Sequence, residues 1–340
     1  MMMRLALPLL LLSLLAGALP AQQLQLPTAN HSLYGAPADF FQFVDRDFEG
    51  SKTTPWEGGQ FGFVRDPRRF GSRIAYARFH EGLDIKPLQR DARGNPQDEV
   101  GAIADGVVVY VAAASGLSNY GRYIVVQHNW GGSPFFSLYA HLASAHVSTG
   151  QKVQAGTPLG ILGYTGSGID QRRAHVHVEL NLFLSSRFEL WHNASFNTPN
   201  HHGLYNGLNL IGLDLQSLYL AQKKNPELTA ASAVKTTESS YRVAVPGTAE
   251  MEILKNYPWL LEGPRPVGRP AGWEITFSRW GLPLAVKAST TAVSAPYVTW
   301  IKDTGIPHFT NTRGCVSGSG STGKLTTEGL RFVNLVCGLF

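Results

Sequence analysis

The chain has 340 residues, 44% of them hydrophobic, a formal net charge of +5 at pH 7 and two cysteines. This length suits two domains, and the apolar fraction is that of ordinary globular protein, which excludes a disordered or fibrous chain. The mild positive balance comes with no long basic run, no Gly-rich phosphate loop and no nucleic-acid motif, so nucleic acid is not expected as a partner.

Arg4 opens an apolar run from Leu5 to Leu15, followed by small residues up to Ala21. Residues 1–21 therefore read as a secretory signal peptide, because the run is too short to span a bilayer comfortably. No cysteine follows it, so no lipid anchor is expected. The mature chain is expected to be secreted or periplasmic, in the cell envelope, with no stable membrane anchor. Residues 22–51 form an N-terminal extension with aromatic residues at Tyr34, Phe40, Phe41 and Phe43. A structural strap is one reading of it and an inhibitory flap across a cleft is the other.

Residues 52–199 consist of short β-branched and aromatic runs separated by glycine turns, which predicts an antiparallel β domain with a cleft. Its first chemical motif is His80-Glu81-Gly82-Leu83-Asp84. In a straight strand residues four apart lie about 13 Å from each other, too far to share one ion, so a bend is expected at Gly82. Asp105-Gly106 precedes a strand, and 129–134 reads as a hairpin loop. The second motif is His175-Val176-His177-Val178-Glu179. Residues two apart on a strand face the same way, so His175 and His177 project side by side. Glu179 shares their parity and reads as a supporting group. His128 reads as a partner orienting a ligand or as a satisfied buried histidine, and His146, His192 and the His201-His202 pair stand apart from the motifs.

Residues 200–240 contain a predicted helix over 213–223, with Leu213, Leu215, Leu218 and Leu220 apolar. The Ala-, Ser- and Thr-rich stretch from Thr229 to Ser240 reads as an exposed linker. Residues 241–340 alternate again and predict a small α+β or β accessory domain, a wall-targeting module or a stabilising cap. In an exported chain its two cysteines, Cys315 and Cys337, are expected to pair as a disulfide.

Four ordered motifs carry a resemblance: Phe79-His80-x-Gly82-x-Asp84-Ile85, Tyr139-Ala140-His141-Leu142, Gly163-x-Thr165-Gly166 and His175-x-His177-x-Glu179. Together they resemble the lysostaphin-type (LytM-domain) zinc metalloendopeptidases, from a lead-in at Gly59 to Arg65 through about Phe183. The resemblance implies a Zn2+ cofactor on His80, Asp84 and His177, with His141 and His175 as catalytic histidines. Which of the two is base and which is oxyanion stabiliser stays open. It also implies a peptidoglycan peptide as substrate, cut at an amide bond of the cross-bridge or stem by activated water. A non-catalytic wall-binding or hydrolase-activating module and an exported protease of glycine-rich proteins are the alternatives. The family's usual Thr-Gly-Pro is replaced by Gln171-Arg172-Arg173-Ala174. Arg122 stands where a small amide is common, and the segment from Lys86 to Glu99 is longer than usual. These departures are expected to line the cleft and bear on substrate selection.

Overall fold

The computed structural model describes residues 23–340, so the signal peptide read on residues 1–21 lies outside the described residues. After the turn α1 (Pro37–Phe40), Phe40 and Phe41 are buried, and the chain runs beside Asp84, where the Gln42 N–H donates to the Asp84 carbonyl at 2.8 Å. Strands β1 (Gly62–Phe70) and β2 (Arg73–His80) then pair as an antiparallel hairpin that delivers His80 at its end.

A short strand β3 (Leu83–Ile85) follows the bend. Next come β4 (Glu99–Gly101), β5 (Gly106–Ala112), β6 (Tyr123–Trp130), β7 (Ser133–Ala140), β8 (Ser144–Ala145), β9 (Lys152–Val153), β10 (Pro158–Ile161), β11 (Val176–Phe183) and β12 (Leu210–Gly212). The main sheet has the order β12-β11-β7-β6-β5-β9, with β3 also pairing to β11, while β4, β10 and β8 form a small second sheet. All its pairings are antiparallel. The β6–β7 loop is only Gly131-Gly132, at φ 57° and 77°, the positive angles that a two-residue hairpin turn of matching twist requires.

Both faces of the sheet are covered, as the near-continuous burial of β6, β7 and β11 records. Ile124, Val126, Tyr139, Val178 and Leu180 enter one core; Tyr123, Val125, Phe136 and Leu138 enter a second on the other face. Along β11 the alternation leaves Val176, Val178, Leu180 and Leu182 on the apolar side and His177, Glu179 and Asn181 on the other. A buried stripe of that polarity is costly unless every group is paired, so it marks the chemistry of the fold.

Helix α2 (Phe188–Ser195) leads to α3 (Leu215–Lys224), capped by Asp214, which accepts from Ser217 N–H at 2.9 Å. Its buried stripe is Leu215, Leu218, Tyr219 and Gln222, whereas Leu220 is exposed. The expected linker is instead helix α4 (Ala230–Thr236), with Ala230 and Val234 buried and Thr229 as its cap.

Past it, the C-terminal segments form β13 (Tyr241–Pro246), the turn α5 (Ile253–Asn256), β14 (Leu261–Glu262), β15 (Gly272–Phe277), β16 (Pro283–Ser289) and β17 (Tyr297–Ile301). These five strands make one sheet in the order β14-β16-β15-β13-β17. The turn α6 (His308–Asn311), a hairpin of β18 (Val316–Ser319) with β19 (Thr322–Leu325), and α7 (Thr327–Cys337) complete the chain. This C-terminal unit shares the main apolar core with the first sheet. Polar side-chain contacts cross between them too: Phe183 N–H donates to Tyr257 Oη at 2.8 Å, and the Trp259 and Trp280 indoles donate to Ser133 Oγ at 3.0 Å and Gly212 O at 2.8 Å.

The expected disulfide is absent, since Cys315 and Cys337 are both free and buried. Helix α7 holds them apart: Cys315 lies against Gly329 in its first turn, and Cys337 closes its last turn. The eight steps from Gly329 to Cys337 advance about 12 Å along the axis, beyond the ~7 Å Cα separation a disulfide tolerates.

Candidate metal centre

Three elements meet at the site. Strand β2 ends in His80, β3 carries Asp84, and β11 carries His177 directly opposite Asp84 in register. The turn between β2 and β3 needs Gly82 for room rather than for an unusual backbone angle. A Cβ there would overlap the Val178 carbonyl oxygen and reach 3.0 Å from His177 Cε1. The expected bend is thus present with a different cause.

His80 Nε2 lies 3.0 Å from His177 Nδ1 and 3.0 Å from Asp84 Oδ1, and His177 Nδ1 lies 2.9 Å from Asp84 Oδ1. All three residues are buried, with 2% to 5% of their surface exposed. Their outer hydrogen bonds settle what the converging atoms are. His80 Nδ1–H donates to the Gln60 carbonyl at 2.7 Å, and His177 Nε2–H donates to Glu179 Oε1 at 2.8 Å. In its neutral form each imidazole therefore turns a lone pair, not a hydrogen, towards the carboxylate oxygen. Three lone pairs crowded together repel unless a cation or a proton sits among them. Bonds of about 2.0–2.1 Å at tetrahedral angles place ligand atoms about 3.3 Å apart, near the spacing found. Two imidazoles and one carboxylate fit a zinc-type ion.

The surrounding charges agree. Burial alone would raise the Asp84 pKa, but His175, His80 and Arg65 hold the carboxyl well below its usual range. Arg65, from β1, pairs with the remaining oxygen, Oδ2, and donates from Nε to the Gly58 carbonyl at 2.8 Å. Sequence reading placed Arg65 at the end of a lead-in motif without a role. Glu179 is also ionised against burial, since His177, Tyr120 (2.7 Å) and Asn181 (2.9 Å) all donate to it.

His141 and His175 stand beside these groups, their rings 4.8 Å apart between centroids. His141 Nδ1–H donates to the Thr165 carbonyl at 2.8 Å, which leaves its Nε2 as an acceptor, while His175 Nδ1–H donates to the Arg173 carbonyl at 2.6 Å and its Nε2 lies 3.3 Å from Asp84 Oδ1. Burial, then the neighbouring His175 and His177, hold the His141 pKa well below its ordinary value, so it stays neutral. His141 sits at φ 62°, a strained position for a residue with a Cβ, and backbone bonds to Tyr120 and Thr165 pin it there.

All five residues line a cleft of about 1030 Å³. His192, His201 and His202 also line it. His202 is buried rather than solvated, bonded to Tyr110 Oη at 2.9 Å. His128 is not at the site. It is a satisfied core histidine between the Asp105 carbonyl (2.7 Å) and Ser137 Oγ (2.8 Å), and His146 is exposed. Of the departures expected to line the cleft, Arg173 does. Arg122 is tied to the Ala113 and Ala143 carbonyls, and Arg172 covers the Phe43 ring.

Residues 78–186 match the model of peptidase family M23. The match holds all five residues of the site. Among curated relatives, the murein hydrolase activator EnvC of Escherichia coli is 40% identical over 82 residues, 24% of this chain and 17% of that protein. The murein hydrolase activator NlpD of Salmonella typhimurium is 36% identical over 77 residues, 23% of this chain and 19% of its own. The chain thus spans about a fifth of the length of these relatives. Among solved structures, the catalytic domain of lysostaphin from Staphylococcus simulans is 26% identical, with 35% of this chain and 76% of that one covered and a TM-score of 0.25. A zinc-containing peptidase from Vibrio cholerae is 24% identical, with 42% and 36% covered and a TM-score of 0.26.

Proposed function

We propose that the chain is an exported zinc metalloendopeptidase that hydrolyses amide bonds in peptidoglycan cross-bridges or stem peptides, working in the cell envelope or outside it. The observation that carries this reading is the convergence of three buried lone pairs beside two further histidines in an open cleft. His80, Asp84 and His177 would hold the ion. When bound, zinc lowers the pKa of water towards neutrality and polarises the scissile carbonyl. One of His141 and His175 accepts a proton at Nε2 from the attacking water and returns it to the leaving amine, while the other supports the oxyanion. Their Nδ1–H bonds to Thr165 and Arg173 fix the tautomer that this exchange needs. Gln60, Glu179 and Arg65 keep the ligands aimed and charged.

Mass spectrometry of defined muropeptides after incubation with the zinc-loaded mature chain tests the activity. His177→Ala and Asp84→Ala are expected to lose zinc and hydrolysis together, whereas His141→Ala keeps zinc and loses about 10²–10⁴-fold in turnover. Near wild-type rates in zinc-loaded His141→Ala would remove that residue from the mechanism.

The names of EnvC and NlpD favour a second reading, in which the domain activates a separate wall hydrolase. Against it, every residue the chemistry requires is present here. Full zinc occupancy with no cleavage of any wall preparation, together with stimulation of a purified wall hydrolase, would decide for the activator.

A further inference from the structure

The cleft wall holds more positive charge than its own carboxylates neutralise. Asp84 is paired with Arg65, Glu81 with Arg313 and Asp66 with Arg68. Arg78 and Arg173 also line the cleft, and among the described residues neither has a carboxylate within ion-pair distance. The Nε of Arg173 is buried without a hydrogen-bond partner.

Their positions are tied to the reacting groups. Arg78 lies two residues before His80 on β2, so the two share a face of the strand. It is also the register partner of Arg65 across the hairpin, and like charges opposite each other oppose strand pairing. Arg173 offers its carbonyl to His175 Nδ1 at 2.6 Å, so its side chain departs from backbone that positions a catalytic candidate. It stands in the Gln171-Arg172-Arg173-Ala174 stretch, where this sequence departs from the family it resembles. Guanidinium groups bind carboxylates through paired N–H donors, and a cleft-lining guanidinium without a protein carboxylate can take one from a ligand.

We propose that Arg78 and Arg173 bind a carboxylate of the substrate, so that the cleft selects an acidic peptide over an uncharged glycine-rich one. This rests on reading the cleft as a site for wall peptides.

The test is calorimetric titration of the zinc-loaded chain with a stem-peptide dimer whose carboxylates are all free, and with the same dimer fully amidated. Wild type is expected to bind the acid form about tenfold or more tightly than the amide, the usual scale for a charge-assisted hydrogen bond. Arg78→Gln/Arg173→Gln should reduce that preference to about twofold or less, with zinc content unchanged. Lys324→Gln, which removes an exposed charge elsewhere, should keep it. Because the readout is a ratio within each variant, a general loss of stability does not imitate it. Equal or absent binding of the two dimers by wild type overturns the proposal. So does a preference that survives in the double variant, or that falls equally in Lys324→Gln. If the acid preference holds while neither dimer is cut, hydrolysis fails as the function and the carboxylate site stands.

Discussion

At the residue scale, His177 faces Asp84 at 2.9 Å and Glu179 at 2.8 Å. Burial opposes a charge on the imidazole, but the hydrogen bonds to both carboxylates push its pKa up to about 10. Nδ1 therefore carries either a proton or a metal ion, and the two compete for one lone pair. Glu179 decides how basic that lone pair is, because it accepts the hydrogen on the far side of the ring. Glu179→Gln keeps the shape and removes the charge, and is expected to weaken zinc binding by about 10–100-fold in competition with a chromogenic chelator. An affinity within twofold of wild type would mean that Glu179 only packs. His128 offers a second residue-scale test, remote from the ligands. Burial lowers its pKa to about 4, against 6.5 in the unfolded chain. The unfolded state then binds more protons between those values, so stability is full above about pH 6.5 and falls as pH drops towards 4, by up to roughly 3 kcal/mol. His128→Gln should flatten that slope in denaturant unfolding measured from pH 7 to pH 4. An unchanged slope would place the acid sensitivity elsewhere.

At the scale of elements, the site depends on β3 lying flush against β11. Val176, His177 and Val178 pair with Ile85, Asp84 and Leu83, and Gly82 touches the backbone of Val178. Gly82→Ala forces a methyl group into that contact, an overpacking cost of about 1–3 kcal/mol. It should lower the melting temperature and zinc occupancy together. Normal zinc content in a destabilised Gly82→Ala would show that the ligand geometry does not rely on this contact. Period-two alternation made the pairing of His175 with His177 legible, and the spacing of His80 and Asp84 demanded a bend. What the pattern did not show was which ring nitrogen each histidine turns inward, because that is set by Gln60 and Glu179 across the fold. Nor did it show the left-handed backbone at His141. The cysteine pairing failed because two thiols near each other in sequence were separated by the helix between them. The misread linker failed differently. Ala, Ser and Thr suit loops, yet Thr229 is also a helix cap, accepting from Ser232 N–H at 3.1 Å.

At the scale of the whole molecule, the C-terminal segments buttress the candidate metal site. Trp280 stacks on Phe79, the neighbour of His80, at 5.7 Å between centroids, meets Phe61 edge-on at 5.3 Å, and bonds Gly212 through its indole. Arg313 adds a cation over the other side of this corner, 5.0 Å from the Phe79 ring centre, and pairs with Glu81. The hairpin that presents His80 is thus held between the first sheet and the C-terminal unit. If that contact is integral to the fold, the two units melt as one, and weakening it must loosen the candidate metal site. Trp280→Ala removes the stack and a hydrogen bond, and for a partly exposed side chain the expected cost is roughly 2–3 kcal/mol. Calorimetry should show one transition shifted down, with zinc release moving by the same amount. Two transitions in the wild-type protein, with only the one that releases no zinc moving in Trp280→Ala, would mean that the C-terminal unit is an appendage that does not support the hairpin carrying His80.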